Sequence, residues 1–143
     1  MELLTRDFGR LTVAEDQVVH FTGPILGFEE YREFVFLCQQ GQEGGFTWLQ
    51  STQEPGLCFL LVPPELVEQD YRPTLPAGTA ELLGEGAYAY WLLASIRQPL
   101  ERSTVNLKSP IVYNATLRTA TQVVLEGRLP IRRPLFQKGA STC

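Results

Sequence analysis

The sequence predicts a mainly β fold, a small single-domain antiparallel β-barrel or closed sandwich with one or two short helices over residues 1–136, ending in a flexible tail at 137–143. Three observations carry this reading. Nine or ten short runs rich in β-branched, aromatic and leucine residues recur between turn signals at near-regular spacing. Apart from a single turn at 29–33, helical composition is confined to two stretches, 63–68 and 75–85. The length of 143 residues is that of one domain and suffices to bury a core without covalent staples.

Taken in order, residues 3–8 and 11–13 flank Gly9-Arg10, a hairpin signal, and residues 17–21 follow as a strand. That strand holds His20, the only histidine; with no cysteine or carboxylate cluster at ligand spacing, it reads as a strand residue rather than a metal ligand or base. Thr22-Gly23-Pro24-Ile25-Leu26-Gly27-Phe28 is an ordered loop, because glycine permits positive φ, proline fixes its own, and Ile25, Leu26 and Phe28 pin it. Its glycine spacing matches neither a Walker nor a Rossmann phosphate loop. One helical turn is expected at 29–33, then an apolar strand at 34–38 and a glycine-rich turn at 39–45.

Residues 46–51 return as a strand with Trp48 in the core, Pro55-Gly56 turns the chain, and 57–62 is apolar enough to be buried on both faces. Residues 63–68 form a short helix with proline in its first turn, and 75–85 a second one despite Gly78. Residues 87–97 give the longest candidate strand. Tyr88, Tyr90, Leu92, Ala94 and Ile96 share one parity and Ala87, Ala89, Trp91, Leu93 and Ser95 the other, so both faces are mostly apolar and the strand is central.

Residues 104–114 place Val105, Leu107, Ile111 and Tyr113 on one parity, with Asn106, Lys108, Val112 and Asn114 on the other. Pro110 donates no backbone hydrogen bond and so fits an edge strand or a bulge. A bent strand with partly free backbone is expected, either scaffold or a place where another chain docks. The last strands are expected at 116–119 and 122–126, around Ala120-Thr121, and Pro130 and Pro134 prevent a long paired strand beyond them.

Composition narrows the function. The chain is 44% hydrophobic and 20% charged, as ordinary globular proteins are. It has neither a membrane-length apolar run nor the basic-then-apolar pattern of a signal peptide, so a cytoplasmic location is expected. Cys38, Cys58 and Cys143 are too few and too widely spaced for a disulfide framework or metal knuckle; Cys38 and Cys58 read as small buried hydrophobes. No Cys-His, Ser-His or metal constellation is present, so the chain is read as a non-enzyme without cofactor.

Charge is divided along the chain: residues 1–90 hold 14 Asp and Glu against 4 Arg, and residues 91–143 hold 8 Lys and Arg against 2 Glu. The net charge is −4. Either the signs interleave on the surface, or the acidic part presents a negative face to a basic partner. Overall acidity argues against direct nucleic-acid binding. The competing reading is a small barrel that binds single-stranded RNA or another ligand, with Trp48, Trp91 or Tyr88 as stacking platforms and the basic last third as a phosphate track.

Several segments in order resemble the FliW family of bacterial flagellar assembly factors. They are Phe21-Thr22-Gly23-Pro24-Ile25-Leu26-Gly27-Phe28, Trp48-Leu49-Gln50-Ser51, Asp70-Tyr71 and, most specific, Asn106-Leu107-Lys108-Ser109-Pro110-Ile111-Val112-Tyr113-Asn114. The resemblance runs from about Thr5 to Phe136. Gly23 to Gly27 spans a longer gap than is usual in the family. The resemblance implies a β-barrel that binds and antagonises CsrA, an RNA-binding translational repressor, and that also binds flagellin, so that flagellin translation follows its secretion by partner switching. A monomer in isolation is expected. Two sets of partner-binding residues are offered: Glu29, Glu30, Glu65, Glu68, Asp70 and Tyr71 for their acidity in loops and short helices, and Asn106, Lys108, Ser109, Pro110 and Asn114 for an unpaired strand edge.

Overall fold

A computed structural model describes residues 1–38 and 45–136. Expectations for residues 39–44 and for the tail at 137–143, Cys143 included, lie outside these. The strands are β1 (Glu2–Leu4), β2 (Arg10–Thr12), β3 (Val19–Phe21), β4 (Glu33–Leu37), β5 (Thr47–Ser51), β6 (Cys58–Val62), β7 (Tyr88–Ser95), β8 (Thr104–Asn114), β9 (Thr119–Gln122) and β10 (Arg133–Pro134). One α-helix, α1 (Thr79–Leu83), and three single-turn 3-10 helices, at Glu15–Gln17, Pro64–Leu66 and Leu100–Arg102, complete the set.

Strands β3 to β8 pair antiparallel in chain order, β9 adds antiparallel to β8, and a parallel pairing of β9 with β3 closes a seven-strand barrel. Closure removes the exposed edges that an open sheet of this size would carry. The interior is filled by Val19, Phe21, Ile25, Phe34, Leu49, Leu61, Ile111 and Ala120, with Phe59, Trp91, Leu93 and Tyr113 packed against them. Phe21 meets Phe34 edge-on at 5.2 Å. Leu3 of the β1–β2 hairpin, with Val13 and Val18 that follow it, covers Val35 on the outer face of β4. On the outer side of β7 and β8, Leu83 of α1, Val123 and Leu125 cover Val112, and Val67, Tyr71, Leu129 and Leu135 cover Leu92, Val105 and Leu107.

β7 is central and apolar on both faces, as its two parities require: Trp91 and Leu93 pack inside, Tyr88, Tyr90 and Leu92 outside. Elsewhere the expectations shift. Residues 29–33 are not a helical turn: Phe28 N–H donates to Ile25 O and Tyr31 N–H to Phe28 O, two successive tight turns, before Phe21 N–H pulls Arg32 O back into the barrel. The Leu26 side chain is exposed, and its loop is pinned by the side chains of Ile25 and Phe28 and by Leu26 N–H donating to Gln122 Oε1 at 2.9 Å. Gly23 earns its place by close approach, since a Cβ there would collide with Thr121. Cys58 is buried as expected, but Cys38 is exposed, because it follows the last residue of β4 and leaves the sheet.

The strand expected to break at Ala120-Thr121 instead runs through them. Asn114 Oδ1 accepts N–H groups of Thr116 and Leu117, and Arg118 takes φ 57°, so residues 116–118 form the turn and β9 begins at Thr119. Alanine at 120 fits there because it lies fully buried inside the barrel. Residues 123–125 still run beside β8, with Val123 N–H donating to Pro110 O and Leu125 N–H to Lys108 O.

Candidate functional site

The site is built around an interruption of β8. Trp91 pairs with Ile111 and Leu93 with Asn106, so that residues 107–110 stand opposite the single Leu92. Pro110, which cannot donate to a ladder, lies in this bulge. Asn106 Oδ1 holds the bulge closed by accepting the N–H groups of Lys108 (2.9 Å) and Ser109 (3.0 Å). An odd number of extra residues reverses the parity of the strand. Val105 and Leu107 therefore pack on the outer side with Leu92, whereas Ile111 and Tyr113 fill the interior; the single face expected for these four residues is divided in two.

The expectation of an unpaired edge does not hold. β7 occupies one side of the segment, and β10, Pro130, Leu125, Val123 and β9 occupy the other in turn. Ser109, Pro110 and Asn114 are buried, and Lys108 Nζ donates to Gly127 O at 3.0 Å. Asn114 is a structural hub: its Nδ2 donates to Leu83 O (2.9 Å) and Glu85 O (3.1 Å), joining the end of α1 to the β8–β9 turn. Of this set only Asn106 and Lys108 keep solvent access.

The acidic set divides as well. Pro63 and Pro64 are buried and turn the chain out of β6 into the short 3-10 helix, leaving Glu65, Glu68 and Asp70 exposed. Tyr71 follows, half-buried, and its hydroxyl donates to Leu107 O at 2.7 Å, so the acidic segment is tied to the β8 bulge. Desolvation, with a smaller contribution from Tyr90, raises its pKa to about 12. Glu68 accepts from Arg133 Nη1 at 2.8 Å, and Arg133 Nη2 reaches Val67 O, clamping the segment to β10. A cleft of about 370 Å³ lies between Glu68, Asp70, Tyr71, Leu107, Leu129 and Arg133.

Glu29 and Glu30 sit elsewhere, on the β3–β4 loop, where Glu29 Oε2 accepts Gly27 N–H at 2.7 Å. None of the residues lining the clefts beside Tyr71 belongs to that loop. The rings considered as stacking platforms are engaged: Trp48 edge-on with Phe8 at 5.3 Å, Trp91 against Phe36 at 6.0 Å, and Tyr88 through its hydroxyl to Gly84 O. His20 is an exposed β3 residue 3.6 Å from Glu33.

Sequence reasoning missed Gln50 as a hub. Fully buried, it donates through Nε2 to Ser51, Pro55 and Leu57 carbonyls and accepts Arg6 N–H, locking the β1–β2 hairpin to the β5–β6 turn. The available signal was an amide directly after the apolar pair Trp48-Leu49 in a strand.

In class the protein is a small closed β-barrel with an acidic rim fastened to a bulged strand. The pattern of the FliW protein family matches residues 2–135. A flagellar assembly factor FliW of Bdellovibrio bacteriovorus is 37% identical over 142 residues, covering 96% of this chain and 81% of the relative. That of Moorella thermoacetica is 34% identical over 146 residues, covering 99% and 92%. A crystal structure of the flagellar assembly factor FliW superposes with a TM-score of 0.89 at 28% identity, covering 98% of this chain and all of that one. The chain belongs to the FliW family of flagellar assembly factors.

Proposed function

We propose that this protein is a cytoplasmic partner-switch factor that binds CsrA and prevents it from repressing flagellin translation, and that flagellin competes for it, so that secretion of flagellin restores repression. The reading rests on family membership together with one observation, the exposed carboxylates of Glu65 and Asp70 on the rim anchored by Tyr71. A protein that holds RNA carries cationic surface, and a fixed acidic rim complements it, speeding encounter and making binding salt-sensitive. The bonds that fasten this rim, from Tyr71 to Leu107 and from Arg133 to Glu68, hold its backbone in place before a partner arrives.

Calorimetric titration with CsrA from the same organism, at low and moderate salt and with flagellin present or absent, tests the reading. Salt-weakened binding that flagellin abolishes is expected. Binding of flagellin without CsrA would recast the protein as a flagellin chaperone, and binding of neither would return it to the ligand-binding barrels.

A further inference from the structure

A second surface, independent of the acidic rim, lies where β6 begins, β7 ends and β8 begins. Here an open cleft of about 950 Å³ is lined by Phe59, Leu93, Ile96 and Ile131 and by three arginines, Arg97, Arg102 and Arg132. No Asp or Glu lines it, and none of the three guanidinium groups is within 4.0 Å of a carboxylate among the described residues. The arginines come from separate segments, Arg97 beyond β7, Arg102 in a 3-10 turn and Arg132 just before β10, and the fold alone brings them together. Asn106 also lines the cleft, and because its Oδ1 is committed to the bulge, its amide nitrogen is the remaining donor. Ile96 and Ile131 are among the more exposed large apolar side chains of the molecule, at 45% and 58%.

Converging unpaired guanidinium groups recognise carboxylates or phosphates, often with two hydrogen bonds each. The choice between these rests on the rest of the cleft. A nucleic-acid groove combines a cationic track with aromatic faces for bases, and here Phe59 is the sole aromatic lining residue, in a chain of pI near 5.0. The cleft offers aliphatic surface instead, which suits isoleucine- or leucine-like side chains. We infer that this cleft is a docking site for an acidic polypeptide segment with interspersed apolar side chains, its carboxylates on Arg97, Arg102 and Arg132 and its apolar groups on Ile96, Leu93 and Ile131. Since the cleft shares no lining residue with those beside Tyr71, the molecule carries two surfaces of opposite charge preference. This inference does not depend on the identity of the partner at the acidic rim.

The test is fluorescence anisotropy of a labelled peptide alternating Glu and Leu, with a Lys–Leu peptide as the charge-reversed control and poly(U) as competitor, using the full chain. Saturable binding of the Glu–Leu peptide is expected, weakened at least about tenfold by R97E/R102E/R132E and also by I96D/I131D. All five positions are exposed, so retained circular dichroism and melting temperature are expected to verify that the variants fold. The E65K/D70K variant, changed only at the acidic rim, should bind the peptide no more weakly than the natural chain. Undiminished binding by the arginine variant would overturn the inference, as would no binding by the natural chain. Displacement by poly(U) at equal charge concentration would also overturn it, by making the cleft a general polyanion site.

Discussion

The hydroxyl of Tyr71 donates to the carbonyl of Leu107 across 2.7 Å, linking the segment that carries the acidic rim to the bulge of β8. The Tyr71 ring also packs against the two outer hydrophobic clusters. Tyr71→Phe keeps this packing and removes the hydrogen bond, so a loss of about 1 kcal/mol is expected in urea unfolding. Tyr71→Ala removes both and is expected to cost about 3 kcal/mol or more. A value for Tyr71→Phe as large as that for Tyr71→Ala would mean that the ring contributes nothing.

The same residue gives a pH dependence. Its pKa rises from an ordinary 10 to about 12, so the fold favours the neutral phenol. The stability it contributes is intact below pH 10 and is lost as the pH climbs from 10 towards 12. In a tyrosinate absorbance titration of the 5 tyrosines, Tyr71→Phe should delete intensity from the high-pH end of the curve. Loss from the low-pH end instead would show that the phenol is solvated.

Asn114 and Gly86 form a coupled pair. Asn114→Ala leaves the Glu85 carbonyl and the Thr116 N–H without their partner and the Leu83 carbonyl with the Thr119 hydroxyl alone, and a loss of about 2 kcal/mol is expected. A Cβ at Gly86 would stand 2.7 Å from Asn114 Oδ1, at φ +152°. Gly86→Ala should therefore destabilise less in an Asn114→Ala background than in the natural chain. Strict additivity in a double-mutant cycle would contradict the contact.

These two relationships mark what the sequence disclosed. The barrel was legible because closely spaced β runs with turn signals have few other closed solutions, and β7 was legible as central from its two apolar parities. The bulge was legible in Pro110, but not its length, and one odd insertion reverses every later side chain, which is why the outer and inner halves of β8 were merged. The position of β9 was hidden by Asn114, whose local hydrogen bonds convert residues that look like strand into a turn. The acidic rim was visible as composition, whereas its separation from Glu29 and Glu30, and the convergence of Arg97, Arg102 and Arg132, depend on contacts far apart in sequence.

The two described cysteines should differ in reactivity. Burial raises the Cys58 thiol above its ordinary pKa, partly opposed by Arg6, whereas Cys38 is exposed. In a Cys143→Ser background, Cys38 is expected to react with a thiol-specific disulfide reagent on the order of a hundredfold faster than Cys58, and the difference should vanish in denaturant. Equal rates in the native protein would place Cys58 at the surface.

Glu65, Glu68 and Asp70 are not equivalent, and this determines how the acidic rim is tested. Glu68 is engaged by Arg133, so Glu68→Lys breaks that clamp and sets two cations side by side; the pair is partly exposed, and a cost of about 0.5 kcal/mol is expected. A loss of CsrA affinity in that variant would therefore mix stability and rim geometry with charge. Glu65 and Asp70 are exposed and have no ion-pair partner among the described residues, so Glu65→Lys/Asp70→Lys changes charge alone. For this double variant, CsrA affinity at low salt should fall about tenfold, mostly in the association rate, and the salt dependence should flatten while the melting temperature stays within about 1 °C. An unchanged affinity and salt slope would rule out the rim as the electrostatic contact, whereas a faster dissociation rate with unchanged association would place these carboxylates within a desolvated interface.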